Sequence, residues 1–188
     1  FNQNVIDKKR RKFILVQRNE ECEKNKEGFE GIPQLARKRI GIAGDIIKQS
    51  NKDLSIDVGF KAFKLSESNI KWNLYNFSQN EQITNETLNQ NPDQMDFVSN
   101  AKDIDIVYEL MLRQNDVSLS ASVEILSHVG ERTYLYANSY LVCLETKITE
   151  VLVDKLAAID PLPIKFIFRD SAFGDNIALK DETFRRLK

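Results

Sequence analysis

Histidine occurs once in this sequence, as His128, and cysteine twice, as Cys22 and Cys143. So small a stock of metal-seeking side chains, with no C-x-x-C pair, argues against a zinc site. Two thiols in 188 residues make no disulfide framework either, and a reducing cytoplasm is the simpler expectation. No apolar run reaches the roughly 18 residues that cross a bilayer, and no signal peptide is evident, so no membrane partner is expected. An excess of one charge is also missing. The 27 Lys and Arg against 28 Asp and Glu leave a formal net charge of −1. That excludes a polycation built to coat nucleic acid and leaves only a local basic patch for such a task.

What is present is the make-up of a globular chain, 41% hydrophobic and 29% charged, long enough for one ordinary domain or two small ones. It opens on Phe1 and offers only a few residues before its first apolar run, so the expectation is part of a larger protein.

That run, Lys12, Phe13, Ile14, Leu15, Val16 and Gln17, is bounded by charge and contains no Gly or Pro. The pattern predicts a strand buried on both faces, as in a parallel sheet covered by helices. A helix follows from Ile32 and Pro33. Pro33 suits a first turn, and Leu35, Ala36, Ile40, Ala43, Ile46 and Ile47 make one apolar face. A second strand is expected over residues 58–65, with Phe60, Phe63 and Leu65 facing the core. Strand, helix, strand is the unit of an open α/β sheet, and ligands bind beyond the carboxyl ends of its strands. Gln17 stands at one such end and Ser66 at the other.

Other features keep two readings each. Lys8, Lys9, Arg10, Arg11 and Lys12 form a basic burst, either a phosphate contact or a solvated lead-in. Glu20, Glu21 and Glu23 could be a carboxylate cluster but have the spacing of solvated loop residues. Ser66, Glu67, Ser68 and Asn69 suit a ligand cleft and a turn equally. Trp72, Tyr75 and Phe77 could stack bases or pack a connector. Residues 78–94, rich in Asn, Gln and Thr, predict a linker.

Beyond the linker a helix is expected over residues 98–115, carried by Ile104, Val107, Tyr108, Met111 and Leu112. Residues 117–127 give no clear pattern. Strands are predicted at 132–136 and 140–144, joined through Ala137, Asn138 and Ser139. Ile148, Leu152, Leu156 and Ile159 mark a helix capped by Thr146 or Thr149 and stopped before Pro161. A strand at 164–168 and a helix at 175–187 complete the order α-β-β-α-β-α. Arg169, Asp170 and Ser171 could hold a ligand, but an ion pair with an N-cap is the favoured reading. His128, without a placed partner, reads as structural or exposed.

Several stretches carry a family resemblance. Lys12 to Gln17, followed by Leu35, Ala36, Arg37, Lys38, Arg39 and Ile40, resembles the F-I-G-I-E strand and the A-x-x-R-I helix of amino-group DNA methyltransferases. The Gln in place of an acid is most like the modification subunit of type III restriction systems. Residues 58–70 are similar to that family's "GFRVFKLDSSN", Leu141 to Leu144 to its "LLVCLDD", and Phe166 to Asp175 to its "VVFRDSGFKDD". The matches fall in order along nearly the whole chain.

The resemblance implies methyl transfer from S-adenosylmethionine to the exocyclic amine of adenine in double-stranded DNA, with the base flipped from the stack. It places Gln17 at the cofactor's ribose and adenine. Ser66 falls where the family usually has Asp, a departure that weakens cofactor contacts from that edge. The family's D-P-P-Y tetrad and F-x-G-x-G loop are both absent, and in this family both precede the stretch that opens this chain. The expectation is therefore the C-terminal portion of such a subunit, inactive alone and binding no S-adenosylmethionine by itself. It would carry a partial Rossmann-like methyltransferase sheet over residues 1–77, a linker over 78–94 and a small α+β domain over 95–188. The implied partners are DNA through the intact enzyme, the restriction subunit and a second copy. The alternative is a non-catalytic module for subunit assembly.

Overall fold

Thr133–Tyr136 and Tyr140–Cys143 form a tight antiparallel hairpin, β2 and β3, in which Thr133 faces Cys143 and Tyr136 faces Tyr140. Ala137 and Asn138 close it in the left-handed region, at φ of 54° and 52°, the backbone that the right-handed twist of a short hairpin demands. In this computed structural model, which describes residues 2–9, 11–21, 28–52, 56–71 and 92–188, the hairpin is the centre of a four-stranded mixed sheet. Val123–Ile125 (β1) pairs antiparallel with β2, and Lys165–Phe168 (β4) pairs parallel with β3. Strand β1 comes from the stretch whose sequence had no clear pattern.

Alternation along the strands feeds two cores. Leu141 and Cys143 point to one face, where they pack with Ile148, Leu152, Val153 and Leu156. Tyr140, Val142 and Leu144 point to the other, against Ile106, Val107 and Met111. The helix on the second face, Asp103–Gln114 (here α3), carries Asp103 and Asp105 in its first turn, where the macrodipole favours acids, and ends on Asn115 at φ 62°. On the first face lie Glu150–Ala157 (α4) and Ile177–Arg186 (α5). The Thr149 hydroxyl caps α4 by accepting from the Leu152 amide at 3.2 Å, and Asn176 caps α5 by accepting from the Leu179 amide at 2.9 Å. The result is a mixed sheet between helices on both faces, an α/β arrangement.

These elements belong to the second of two units, Phe1–Leu65 and Ser66–Lys188. Most of the expected linker, residues 78–94, lies outside the described residues. Its described end enters a 3-10 turn, Pro92–Met95, followed by a bridge between Ile70 and Phe97.

The first unit differs from expectation. It holds a short helix, Asn2–Asp7 (α1), and a long one, Ile32–Ser50 (α2), which opens at Ile32 with Pro33 in its first turn, as predicted. At Gly44 the second helix meets Val58 so closely that an added Cβ would lie 3.2 Å from the Val58 Cβ. The two expected strands do not form: residues 12–17 and 58–65 join no ladder, and Ile14, Val16 and Leu65 are 90%, 94% and 98% exposed. Apolar, β-branched runs have strand propensity, but a strand exists only where neighbouring backbone accepts its hydrogen bonds. No described residue supplies that neighbour. The strand-helix-strand unit is thus reduced to its helix, and every buried hydrophobic side chain among the described residues lies between Phe97 and Leu187.

Candidate functional site

Gln17, at the end of the exposed run, donates its side-chain amide to the carbonyl of Arg18 at 3.1 Å. Ser66 is exposed and opens the second unit. A shallow groove of about 290 Å³ is lined by Ala43, Ile46, Ile47, Ser50 and Asn51 and contains neither residue. No ionisable group lines it, and the Asn51 amide is spent on the Ile47 carbonyl at 2.9 Å. Of the basic burst, Arg11 grips Asp7, with Nη1 to Oδ1 at 2.8 Å, and this hydrogen bonding holds the Asp7 carboxyl down at about 2. Arg10, Cys22, Glu23, Trp72, Tyr75 and Phe77 lie outside the described residues. Glu20 and Glu21 are exposed, and no cluster able to hold a metal occurs among the described residues.

Among the described residues the densest polar cluster lies at one end of the sheet, beyond the ends of its strands. Register aligns Thr133, Cys143 and Phe168 across β2, β3 and β4, so the next residues outward, Arg132, Leu144 and Arg169, emerge together. The Arg169 side chain is 3% exposed. Its Nε donates to Asp96 at 2.9 Å and its Nη2 lies 2.7 Å from the same carboxylate, while Nη1 binds Asp93. The guanidinium stacks over Phe97, 5.0 Å from the ring centre. Arg132 forks onto Asp103, with Nε and Nη2 at 2.8 and 2.6 Å, and reaches Asp93 through Nη1 at 2.9 Å. One oxygen of Asp93 thus bridges both arginines. The Tyr134 hydroxyl donates to Asp103 at 3.1 Å, the Ser171 hydroxyl donates to Asp96, and the Arg132 amide donates to Glu145 at 2.6 Å.

Electrostatics fixes what this cluster can do. Partial burial opposes ionisation of Asp93, yet hydrogen bonds from Arg132 and Arg169 outweigh it and the carboxyl titrates below its ordinary range. The Tyr134 phenol is pushed up to about 12, first by burial and then by the Asp103 charge. Burial likewise raises the Cys143 thiol. At neutral pH the carboxylate is locked charged, the phenol and thiol are locked neutral, and none is poised to exchange a proton. The cluster is a brace: it ties the segment around Asp93 to Phe97 onto the carboxyl ends of β3 and β4.

The favoured reading of Arg169, Asp170 and Ser171 is half met. Arg169 makes its ion pairs, while Asp170 and Ser171 enter a 3-10 turn, Asp170–Phe173, that carries no side-chain cap. Asp170 pairs with Lys180. Ser68 and Asn69 serve as a turn held to α3: the Ser68 hydroxyl and the Asn69 amide donate to the Glu109 carboxylate at 2.5 and 2.7 Å. His128 is exposed in a turn. The partners Asp93, Asp96, Asp103 and Arg132 have no local sequence signature. The short Asp93–Asp96 spacing before Phe97 was the one available hint.

Comparison with family models, with curated proteins and with solved structures found no match for this chain.

Proposed function

We propose that this chain is the C-terminal portion of the modification subunit of a type III restriction-modification system, a DNA adenine methyltransferase. The observation that carries the reading is the order of the similar stretches, from residues 12–17 through 35–40 and 58–70 to 141–144 and 166–175. Two of them fall on the adjacent parallel strands β3 and β4, and the last supplies Arg169 and Ser171 to the brace. Such stretches are what a fold retains when its signature is structural.

In this reading residues 12–17 and 58–65 are strands of a Rossmann-like catalytic sheet in the whole subunit, where neighbours complete their ladders. Gln17 and Ser66 border S-adenosylmethionine there, and DNA is engaged by the intact cytoplasmic enzyme. The 188-residue chain alone transfers no methyl group. Two measurements test this. The reading frame immediately upstream should encode an F-x-G-x-G loop and a D-P-P-Y tetrad, and their absence would remove the family. Titration calorimetry of the isolated chain with S-adenosylmethionine should show negligible heat, and tight stoichiometric binding would overturn the fragment reading.

A second reading has its own support. The second unit holds the buried core and a brace whose charges are spent internally, which suits a rigid assembly module for a second copy or for the restriction subunit. A full-length subunit lacking residues 95–188 should then fail to assemble while keeping its catalytic motifs. Normal assembly would sink that role.

A further inference from the structure

The formal charge of −1 conceals a sharp segregation. Phe1–Leu65 holds 15 Lys and Arg against 9 Asp and Glu, a net +6, whereas Ser66–Lys188 holds 12 against 19, a net −7. Part of the first unit's positive charge is outward and uncommitted, while Arg11 is paired with Asp7 and Arg18 lies near Glu20. Lys8, Lys9, Lys12, Arg37, Arg39 and Lys64 are exposed, and none forms an ion pair with a described residue. Arg37 and Lys48 lie about three turns apart on α2 and so share one side of the helix. Gly41 falls between them on that side, and nothing lies within 4 Å of where its Cβ would be.

We propose that the first unit contacts the phosphate backbone of duplex DNA, using Lys8, Lys9 and Lys12 and the Arg37–Lys48 side of α2. The inference rests on the reading above in taking DNA as the polyanion. Lysines on flexible stems suit phosphate as point charges rather than base edges, so the contact positions DNA without reading its sequence. The acidic second unit repels the same phosphates, which confines the contact to the first.

The test uses the whole chain and a short labelled duplex of unrelated sequence, with anisotropy followed as salt is raised. Binding should weaken steeply with salt, the slope of log K against log salt being about −0.9 per phosphate contacted. The triple variant Lys8→Glu, Lys9→Glu, Lys12→Glu should flatten that slope by about 0.9 per residue and weaken binding at least tenfold. Lys147→Glu with Lys188→Glu, in the acidic unit, should leave the slope unchanged. Circular dichroism checks that both variants fold. No binding at low salt overturns the proposal, as do equal losses in both variants. Salt-sensitive self-association of the chain without DNA binding also overturns it, because the basic unit would then serve a second copy. The outcome is separable from the methyltransferase reading, which the upstream frame decides independently.

Discussion

Arg169 shows what a buried charge requires. Its side chain, 3% exposed, is tolerable because Asp93 and Asp96 neutralise it and the Leu144 carbonyl lies within 3.5 Å of Nη1. Removing one partner of such a cluster leaves the others desolvated and unpaired, a loss of about 3–5 kcal/mol. Arg169→Met should therefore lower the urea midpoint sharply, and Arg169→Lys should rescue little, since an ammonium cannot reproduce the fork. Adding Asp93→Asn and Asp96→Asn to Arg169→Met should recover part of the loss. A triple variant no better than the single would show that the cluster is not the coupled unit its geometry implies. Titration carries its own signature. The Asp93 carboxyl is depressed in the folded state, so its contribution is present above the ordinary value of 3.8 and is lost as pH falls toward the folded value. Tyr134 is raised from 10.0 to about 12, so its contribution is full below 10.0 and is lost as pH rises toward 12. Tyr134→Phe should reduce the alkaline loss of stability, which the raised Cys143 thiol and the raised Tyr136 and Tyr140 phenols share, and an unchanged profile would assign that loss to them. Little of this was readable from the residues alone. Arg169 announced an ion pair by following a strand, but its partners lie 73 and 76 positions away, and no local pattern records a contact over that distance.

At the scale of elements, local rules and the structure part company in an instructive way. Helix signals carry their own hydrogen bonds, so α2, α3, α4 and α5 arrive close to where periodicity and caps place them. Thr149, one of two candidates, is the cap of α4, and Thr149→Ala should cost about 1 kcal/mol in thermal or urea unfolding. The hairpin is equally local, because its turn residues sit beside its strands. Strand signals are different: residues 140–144 and residues 12–17 read alike, as apolar runs without Gly or Pro. The first run finds β2 on one side and β4 on the other, while the second finds no described neighbour. Strand β1 shows the converse, a poor pattern made into a strand by pairing with β2. Hydrogen exchange separates these cases. Amides of Tyr140–Cys143 should be protected nearly to the level of global unfolding, and those of residues 12–17 and 58–65 should exchange at once. Strong protection of the latter two runs would mean that they pair after all in the isolated chain.

For the whole molecule the decisive fact is where apolar surface is removed from water. Every buried hydrophobic side chain among the described residues lies between Phe97 and Leu187, on the two faces of one sheet. Burial at about 25 cal/mol per Å² is what offsets the entropy of ordering a chain, so the second unit holds the means to fold and the first holds little. A chain of residues 66–188 should keep the urea midpoint of the full protein, while residues 1–65 alone should give weak helical dichroism that fades without a cooperative transition. Cys143, 0% exposed beneath α4, reports on the same division. With Cys22 replaced by Ser, native protein should resist a thiol reagent and react fully once urea passes the midpoint, with equal kinetics in the full chain and in residues 66–188. Faster labelling in the shorter chain would mean that the first unit contributes to closing the core. The second unit could then no longer be regarded as self-sufficient.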